Sequence, residues 1–527
     1  MNRRGIAIAT LVIGSGTLVT SLLGFVRAVV VARYFGQTAP TDALFAALTV
    51  PQMFYDQLIG GAISAALIPS FSRLAADDDG DLWLVVRTVF ALELLVVLLA
   101  VGVLELLAHP LMGAIASGFR LKHHAGTLPL AVKLVRVLLP TLLFSAMSAV
   151  ALATLYSLGR RVVSAFAPSF YHLGIIAAAL IGAVRWGITA LAVGAVMGAA
   201  VQFGVQVPML FCARREGGKR RSRQLVDFRH PAIRRIVRLY LPIAAGMVVT
   251  IAGQIADINF KSKLPLAGEL SSMQNATQLV QFPVGIVAAA LAFAVLPTIS
   301  VEAAQESLEG FKDTLALGMR MSLVLLVPAM VGFLVLATPI VALIFQRGHF
   351  THLDTVHTAT ALIGYAPQLP FVGIDQLLIY AFYARHNTVT PAMAGVVGVL
   401  SYVLFAAAFL GPLTIVGLAL ANTISIVIHV LVLFILVYRA VGPLSGRQLP
   451  LTVLKLAVAG GAMAAAAAVG EFWLSPGGSG LAVRLADVVI PGAAAVLVYV
   501  ACMVILRVDE ARMVAGTLTR RFAGSRS

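Results

Sequence analysis

Cysteine, acidic residues and charge of either sign are scarce in this chain. The two cysteines in 527 residues, Cys212 and Cys502, fall near expected cytoplasmic helix ends. They leave no disulfide framework and no thiolate cluster for a metal. Aspartate and glutamate number 22 against 38 lysines and arginines, and charged residues make up 11% of a chain that is 60% hydrophobic. At a mean hydropathy of +0.97 there is too little charge to clothe a soluble domain of this length. The chain reads as an all-α polytopic membrane protein. Paired carboxylates, metal-ligand spacings and nucleophile arrangements on one helix face are also missing, so neither an enzyme nor a cofactor is expected.

What is present is a series of long apolar runs. A span needs roughly 20 apolar residues, which gives about fourteen, near 5–34, 42–72, 82–108, 129–157, 163–184, 187–212, 239–262, 268–299, 315–346, 354–384, 390–410, 413–438, 451–472 and 484–507. The first follows Met1-Asn2-Arg3-Arg4, is too long for a signal-peptide core and reads as a retained helix. One link is crowded with Arg214, Arg215, Lys219, Arg220, Arg221, Arg223, Arg229, Arg234, Arg235 and Arg238. Arg160, Arg161, Arg385, Arg439, Arg447 and the tail's Arg512, Arg520 and Arg521 fall on the same side. The positive-inside rule makes that side the cytoplasm and, with an even count, places both termini there. The expected location is the cytoplasmic (inner) membrane. The net charge of +16 then belongs to loops that attract anionic membrane lipid at about 1 kcal/mol per residue, and no nucleic-acid partner is expected. From Asp227 to Tyr240, Phe228, Ile233, Ile236 and Val237 alternate with basic residues. That segment reads either as an amphipathic helix lying on the membrane or as a solvated basic linker.

Internal echoes give the organisation. Ala66-Leu67-Ile68-Pro69-Ser70-Phe71-Ser72 returns 228 positions later as Ala294-Val295-Leu296-Pro297-Thr298-Ile299-Ser300. Ala167-Pro168-Ser169 returns as Thr390-Pro391-Ala392, and Ala192-Val193-Gly194 as Ile415-Val416-Gly417, both offset by 223. Three echoes in one order predict a duplicated six-helix unit with both copies inserted the same way up. The expected domains are an N-terminal lobe (1–212), a basic linker (213–238), a C-terminal lobe (239–440), an appended helix pair (441–507) and a cytoplasmic tail (508–527). Two six-helix bundles about a central cavity suit an alternating-access transporter, expected to act as a monomer.

Charges deep inside apolar runs are costly, so Arg27, Asp42 and Asp56 are read as functional. Glycine and proline interrupt the first two helices at Gly14, Gly16, Gly24, Pro51 and Gly60-Gly61, which is tolerated beside protein or a cavity. Gln274, Gln278 and Gln281 share one helix face, as do Gln254 and Asp257. The candidate substrate ligands are Arg27, Asp42, Gln52, Tyr55, Asp56, Gln254, Asp257, Gln278 and Gln281; no metal ligand is expected. Arg27 faces a cavity, or else only snorkels or pairs with Asp42. Asp56 and Asp257 serve equally well as hydrogen bonds between helices. Arg33, Lys261 and Lys263 are expected to snorkel at the outer interface, and Arg87 and Glu93 to be interhelical or interfacial. Asp375, His172, His429 and Lys455 stand isolated.

Several of these stretches are similar to a known family. Leu23-Gly24-Phe25-Val26-Arg27, Val31-Ala32-Arg33-Tyr34-Phe35-Gly36, Thr41-Asp42-Ala43, Val50-Pro51, Gly61-Ala62 and Ile68-Pro69 resemble the MurJ (MviN) family of the multidrug/oligosaccharidyl-lipid/polysaccharide exporter superfamily. Ala165-Phe166-Ala167-Pro168, Gln281-Phe282-Pro283, Ile344-Phe345-Gln346-Arg347-Gly348, Phe382-Tyr383-Ala384-Arg385 and Gly411-Pro412-Leu413 extend the resemblance over about residues 10–440. It implies a lipid II flippase serving peptidoglycan synthesis and cell shape, which carries an undecaprenyl-pyrophosphate-linked precursor from the inner to the outer leaflet. It also implies that the appended pair forms a groove for the lipid tail. The family's cavity arginines are largely replaced here: Ser21, Phe54-Tyr55-Asp56-Gln57 and Thr277-Gln278-Leu279 stand in their regions, and Arg27 remains. The departures keep two alternatives open, an exporter of another lipid-linked glycan and a transport-inactive scaffold for envelope synthesis.

Overall fold

A computed structural model describes residues 3–57, 66–76, 81–121, 126–216, 224–444, 448–474 and 480–510. Gly60-Gly61, Lys219 to Arg223, Arg447 and the tail arginines lie outside the described residues. The described chain is helical throughout, with ten helices long and apolar enough to cross a membrane among those residues. Val389–Val441 is two helices joined at Thr414, whose φ of 46° breaks the helical path. Pro412 cannot donate a backbone hydrogen bond, and a β-branched residue at positive φ is a strained position found at turns. The two arms fold back, with Ser425 Oγ donating to the Gly398 carbonyl at 2.7 Å. They correspond to the expected spans 390–410 and 413–438.

Contacts divide the chain into two compact units, Met1–Ser271 with Arg347–Phe350, and Ser272–Gln346 with Thr351–Ser527. The division falls after the helix Pro231–Lys261 rather than within the basic link that precedes it. That helix starts eight residues before the expected span, capped by His230, whose ring accepts from the Ala232 amide at 3.2 Å and lies 3.3 Å from Asp81. Ile233 and Ile236 are buried in a cluster with Phe71, Val85 and Val150 while Arg234, Arg235 and Arg238 stay exposed. Ile233 and Ile236 therefore pack on protein of the first unit, while Phe228 and Val237 stay exposed beside the basic residues. At the other end Asn259 donates to the Ala114 carbonyl at 2.7 Å and Ser262 Oγ accepts from the Gly118 amide at 3.0 Å. These bonds seat the helix where lipid could offer its polar side chains nothing.

Elsewhere in the first unit, Ala43, Ala46 and Ala47 form the i, i+3, i+4 stripe of Ala39–Gln57 and are fully buried in its main cluster. In the second unit Leu308–Val335, Gln448–Leu474 and Leu481–Ile505 share a cluster, pinned by the Tyr499 hydroxyl donating to the Val324 carbonyl at 3.1 Å. The first sequence echo has a structural counterpart. Ile68–Ala76 and Leu296–Ala304 are both nine-residue helices opened by a proline, and Phe71 and Ile299, at equivalent places, are both fully buried.

Candidate functional site

The first helix, Arg3–Phe35, meets Arg161–Phe166 and Ser169–Trp186 along a parallel seam. Gly16 lies against the Ala165 carbonyl, so close that no Cβ fits. One turn on, Thr20 Oγ1 is 3.0 Å from Ser169 Oγ. Another turn on, Gly24 leaves room for the His172 ring, 3.5 Å from where a Cβ would stand. Arg27 follows after three more residues on the same face, half-buried, and its charge acts on Tyr171 and His172. The spacing of Gly16, Thr20 and Gly24 is thus a helix contact, with Arg27 following on the same face.

Beside this seam the first unit encloses a cavity of about 110 Å³ lined by Thr20, Pro51, Gln52, Tyr55, Thr141, Ser145, Pro168, Tyr171 and His172. Pro51 lies inside the helix Ala39–Gln57, where it removes a backbone donor next to the cavity. His172 Nδ1 and Thr141 Oγ1 are buried without a hydrogen-bond partner among the described residues. Buried polar atoms of this kind ordinarily hold water or a ligand. Among those residues no carboxylate forms an ion pair with Arg27 either. A cavity lined by imidazole, phenol and hydroxyl groups, with the Arg27 charge acting on two of its lining residues, suits an anionic oxygen group. The cavity is smaller than the roughly 300–1,000 Å³ of sites that enclose a whole small ligand. It matches one phosphate-sized group rather than a disaccharide.

The structure sorts the sequence-selected residues. Gln52 and Tyr55 line the cavity, and Arg27 stands beside it. Asp56 belongs to the same helix as Gln52, with its side chain outside the described residues. Asp42 is placed elsewhere: it accepts from the backbone amides of Gly268 at 2.6 Å and Ser271 at 2.8 Å, and from Ser271 Oγ. Those amides open the helix Glu269–Ala294, so the carboxylate caps that helix from a distant part of the chain, at the end where the helix dipole favours negative charge. Each residue of Thr41-Asp42-Ala43 then has its own task, since Thr41 Oγ1 accepts from the Thr38 amide at 2.8 Å and Ala43 is core. No pairing of Arg27 with Asp42 is formed.

Asp257 is 2.6 Å from Lys261, one turn ahead in the same helix. Lys261 is buried, 3% exposed, so the expectation that it snorkels to the interface is corrected: its ammonium is neutralised within the protein. Lys263 lies over the Phe260 ring at 5.0 Å, and Arg33 is exposed as expected. Gln254 is half-buried on the Asp257 helix, outside the cavity lining. Gln278, half-buried, and Gln281, exposed, belong to the second unit. Sequence reasoning missed Tyr171, Thr141 and Ser145, and read His172 as isolated. Their one signal was the Ala167-Pro168-Ser169 helix start, which brings Tyr171 and His172 one turn in, yet nothing in sequence said that this turn faces Gly24.

A family model described as lipid II flippase MurJ matches residues 31–485. Arg27 therefore lies just before the matched stretch. A probable lipid II flippase MurJ of Vibrio cholerae is 30% identical over 434 residues, covering 80% of this chain and 81% of that protein. Lipid II flippase MurJ of Burkholderia cenocepacia is 28% identical over 391 residues, covering 73% and 74%. A solved structure of lipid II flippase MurJ in an inward closed conformation superposes with a TM-score of 0.77 at 23% identity, over 95% of this chain and 99% of that one. An inward-facing multidrug resistance MATE family transporter of the MOP superfamily gives 0.65 at 15%, over 82% and 98%. At these identities the superpositions speak for the fold. The family match spans most of the apolar helices of both units, and on that extent the chain belongs to the lipid II flippase MurJ family.

Proposed function

We propose that this protein is a lipid II flippase of the inner membrane, moving the undecaprenyl-pyrophosphate-linked peptidoglycan precursor from the inner to the outer leaflet by alternating access. The observation that carries the reading, given the family, is Arg27: a cation without a carboxylate partner among the described residues, beside a polar cavity of phosphate size. A pyrophosphate head cannot enter hydrocarbon unless its lost hydration is replaced. Arg27 supplies charge, and Gln52, Tyr55, Tyr171 and His172 supply hydrogen-bonding groups. Gln254, Gln278 and Gln281 are further contacts for the sugar and peptide parts, whereas Asp42 and Asp257 serve architecture. In this reading fourteen spans form two parallel six-helix repeats, both termini are cytoplasmic, the protein works as a monomer without metal or cofactor, and Gln448–Leu474 with Leu481–Ile505 holds the lipid tail.

The test is rescue of a bacterium depleted of its own lipid II flippase, with membrane insertion measured and Arg27→Ala run in parallel. Rescue by the wild type and its loss in the variant support the reading. A well-inserted wild type that fails to rescue assigns the cavity to another lipid-linked glycan, or the protein to a scaffold role.

A further inference from the structure

The second unit contains a buried polar pair for which cargo binding has no use. Asp375 stands on Leu369–Ala384 and His429 on the second arm of Val389–Val441, with Nδ1 2.8 Å from the carboxylate Oδ1. The two side chains are 17% (His429) and 21% (Asp375) exposed, and both Asp375 Oδ1 and His429 Nε2 are buried, so the polar heart of the pair is dry. The hairpin sets this position. Gly398, on the first arm, has no side chain, and a Cβ there would be 3.6 Å from that of His429; Ser425, one turn before His429, is bonded to the Gly398 carbonyl. The arms are drawn together and the imidazole is turned toward Asp375.

The other ring nitrogen, Nε2, is buried and makes no hydrogen bond of ordinary geometry, and the Pro391 main-chain carbonyl faces the ring. A neutral imidazole has one N–H donor and one acceptor nitrogen, whereas an imidazolium has two donors. Nδ1 stands 2.8 Å from the carboxylate, yet neither Oδ1 nor Nε2 has a hydrogen bond of ordinary geometry, so what holds the pair together is charge, which only the protonated ring supplies. With the proton on, the pair is neutral overall, and with it off, a carboxylate is left with no counter-charge in a low-dielectric place.

Among the described residues the charges on the neighbouring helices and the hairpin, Asp313, His352 and Arg439 included, do not act on the His429 ring. On Leu308–Val335, Arg320 is paired with Glu510 at 3.1 Å and Lys312 with Glu309 at 3.5 Å. On Leu296–Ala304, Glu302 accepts from Thr314 at 2.9 Å, and on His352–Tyr365, Asp354 is engaged in the helix cap at Thr351. His357 and Tyr365 on that helix, Tyr380 and Tyr383 beside Asp375, and Tyr402 on the first arm do not act on the His429 ring, where the charged influence is Asp375.

We propose that His429 and Asp375 form a proton-binding site that couples proton uptake to the conformational cycle of the second unit. Gain or loss of the proton changes what the ring can donate to, and so changes the fit between Leu369–Ala384 and the hairpin. The site is independent of the cargo, so it can stand whether or not lipid II is what is carried.

Two measurements on the full-length protein in nanodiscs and proteoliposomes decide it. In nitrogen-15 histidine spectra, the His429 signals, identified by their loss in His429→Gln or, should that variant misfold, in His429→Asn, are expected to show protons on both ring nitrogens in the wild type and on one in Asp375→Asn at the same pH. A singly protonated wild-type ring, or a ring indifferent to Asp375→Asn, overturns the proposal. For transport of whichever lipid-linked cargo the wild type carries, the rate is expected to fall about tenfold per pH unit above the ring's titration, as a single proton site dictates. His429→Gln is expected to flatten that profile. If the ring titrates but the profile is unchanged in His429→Gln, the pair is structural only and the coupling is refuted. Failure of lipid II rescue alone leaves both spectroscopic expectations standing.

Discussion

The two units keep polar groups in their helices in opposite ways. In the first, Arg27 stands beside a cavity with no ion-paired acid among the described residues, where buried atoms of His172 and Thr141 have no hydrogen-bond partner either. In the second, His429 has its counter-charge built in at 2.8 Å. An unbalanced cation in a membrane is costly and is kept where something anionic is to arrive. A balanced pair needs no visitor other than a proton. The same contrast recurs inside the first unit, where Asp257 with Lys261 is closed and Arg27 is open.

Breaking the open side should have the largest effect. Arg27→Ala is expected to abolish rescue of a flippase-depleted strain with insertion unchanged, and Arg27→Lys to restore it only weakly, because an ammonium lacks the planar fork. Normal rescue by the alanine variant would remove Arg27 as head-group ligand. Asp42→Asn acts on architecture instead: two backbone amides and a hydroxyl lose a charged acceptor, for which a loss of about 2–4 kcal/mol of stability is expected. Thermal unfolding in detergent should show the drop, while transport per folded molecule is retained. The glycines of the seam sharpen the contrast between fold and site. Gly16→Ala drives a methyl into the Ala165 carbonyl and should cost about 1–3 kcal/mol. Gly24→Ala places its methyl at ordinary contact distance from His172 and should leave stability within about 0.5 kcal/mol. If the second substitution nonetheless slows transport, the position of the His172 ring matters to the site itself.

Apolar run lengths made the helical membrane class readable from sequence, and the echo at Pro69 and Pro297 located two equal nine-residue helices. Arg27 could be singled out because a charge in an apolar run is conspicuous wherever the run ends up. Partners could not be read. Lys261 looked interfacial because it sits near the end of an apolar stretch, yet the chain turns back and buries it with Asp257. His429 and Asp375 looked isolated because their meeting depends on the turn at Thr414 and the close arms at Gly398. The helix Pro231–Lys261 showed its apolar stripe plainly, but a stripe of that kind fits a lipid surface as well as a protein groove, and only packing decides between them.

The Asp42 cap also sets a clock on biogenesis. Its amide donors lie 226 and 229 positions later in the chain. At roughly 5–20 residues synthesised per second, the carboxylate waits about ten to forty-five seconds after its own helix leaves the ribosome before they exist. Through that interval the Asp42 carboxylate is without the amide donors that hold it in the finished fold. The moment residue 271 emerges is when that unit can close, which makes this interval the stage at which truncation or stalled translation should be most damaging.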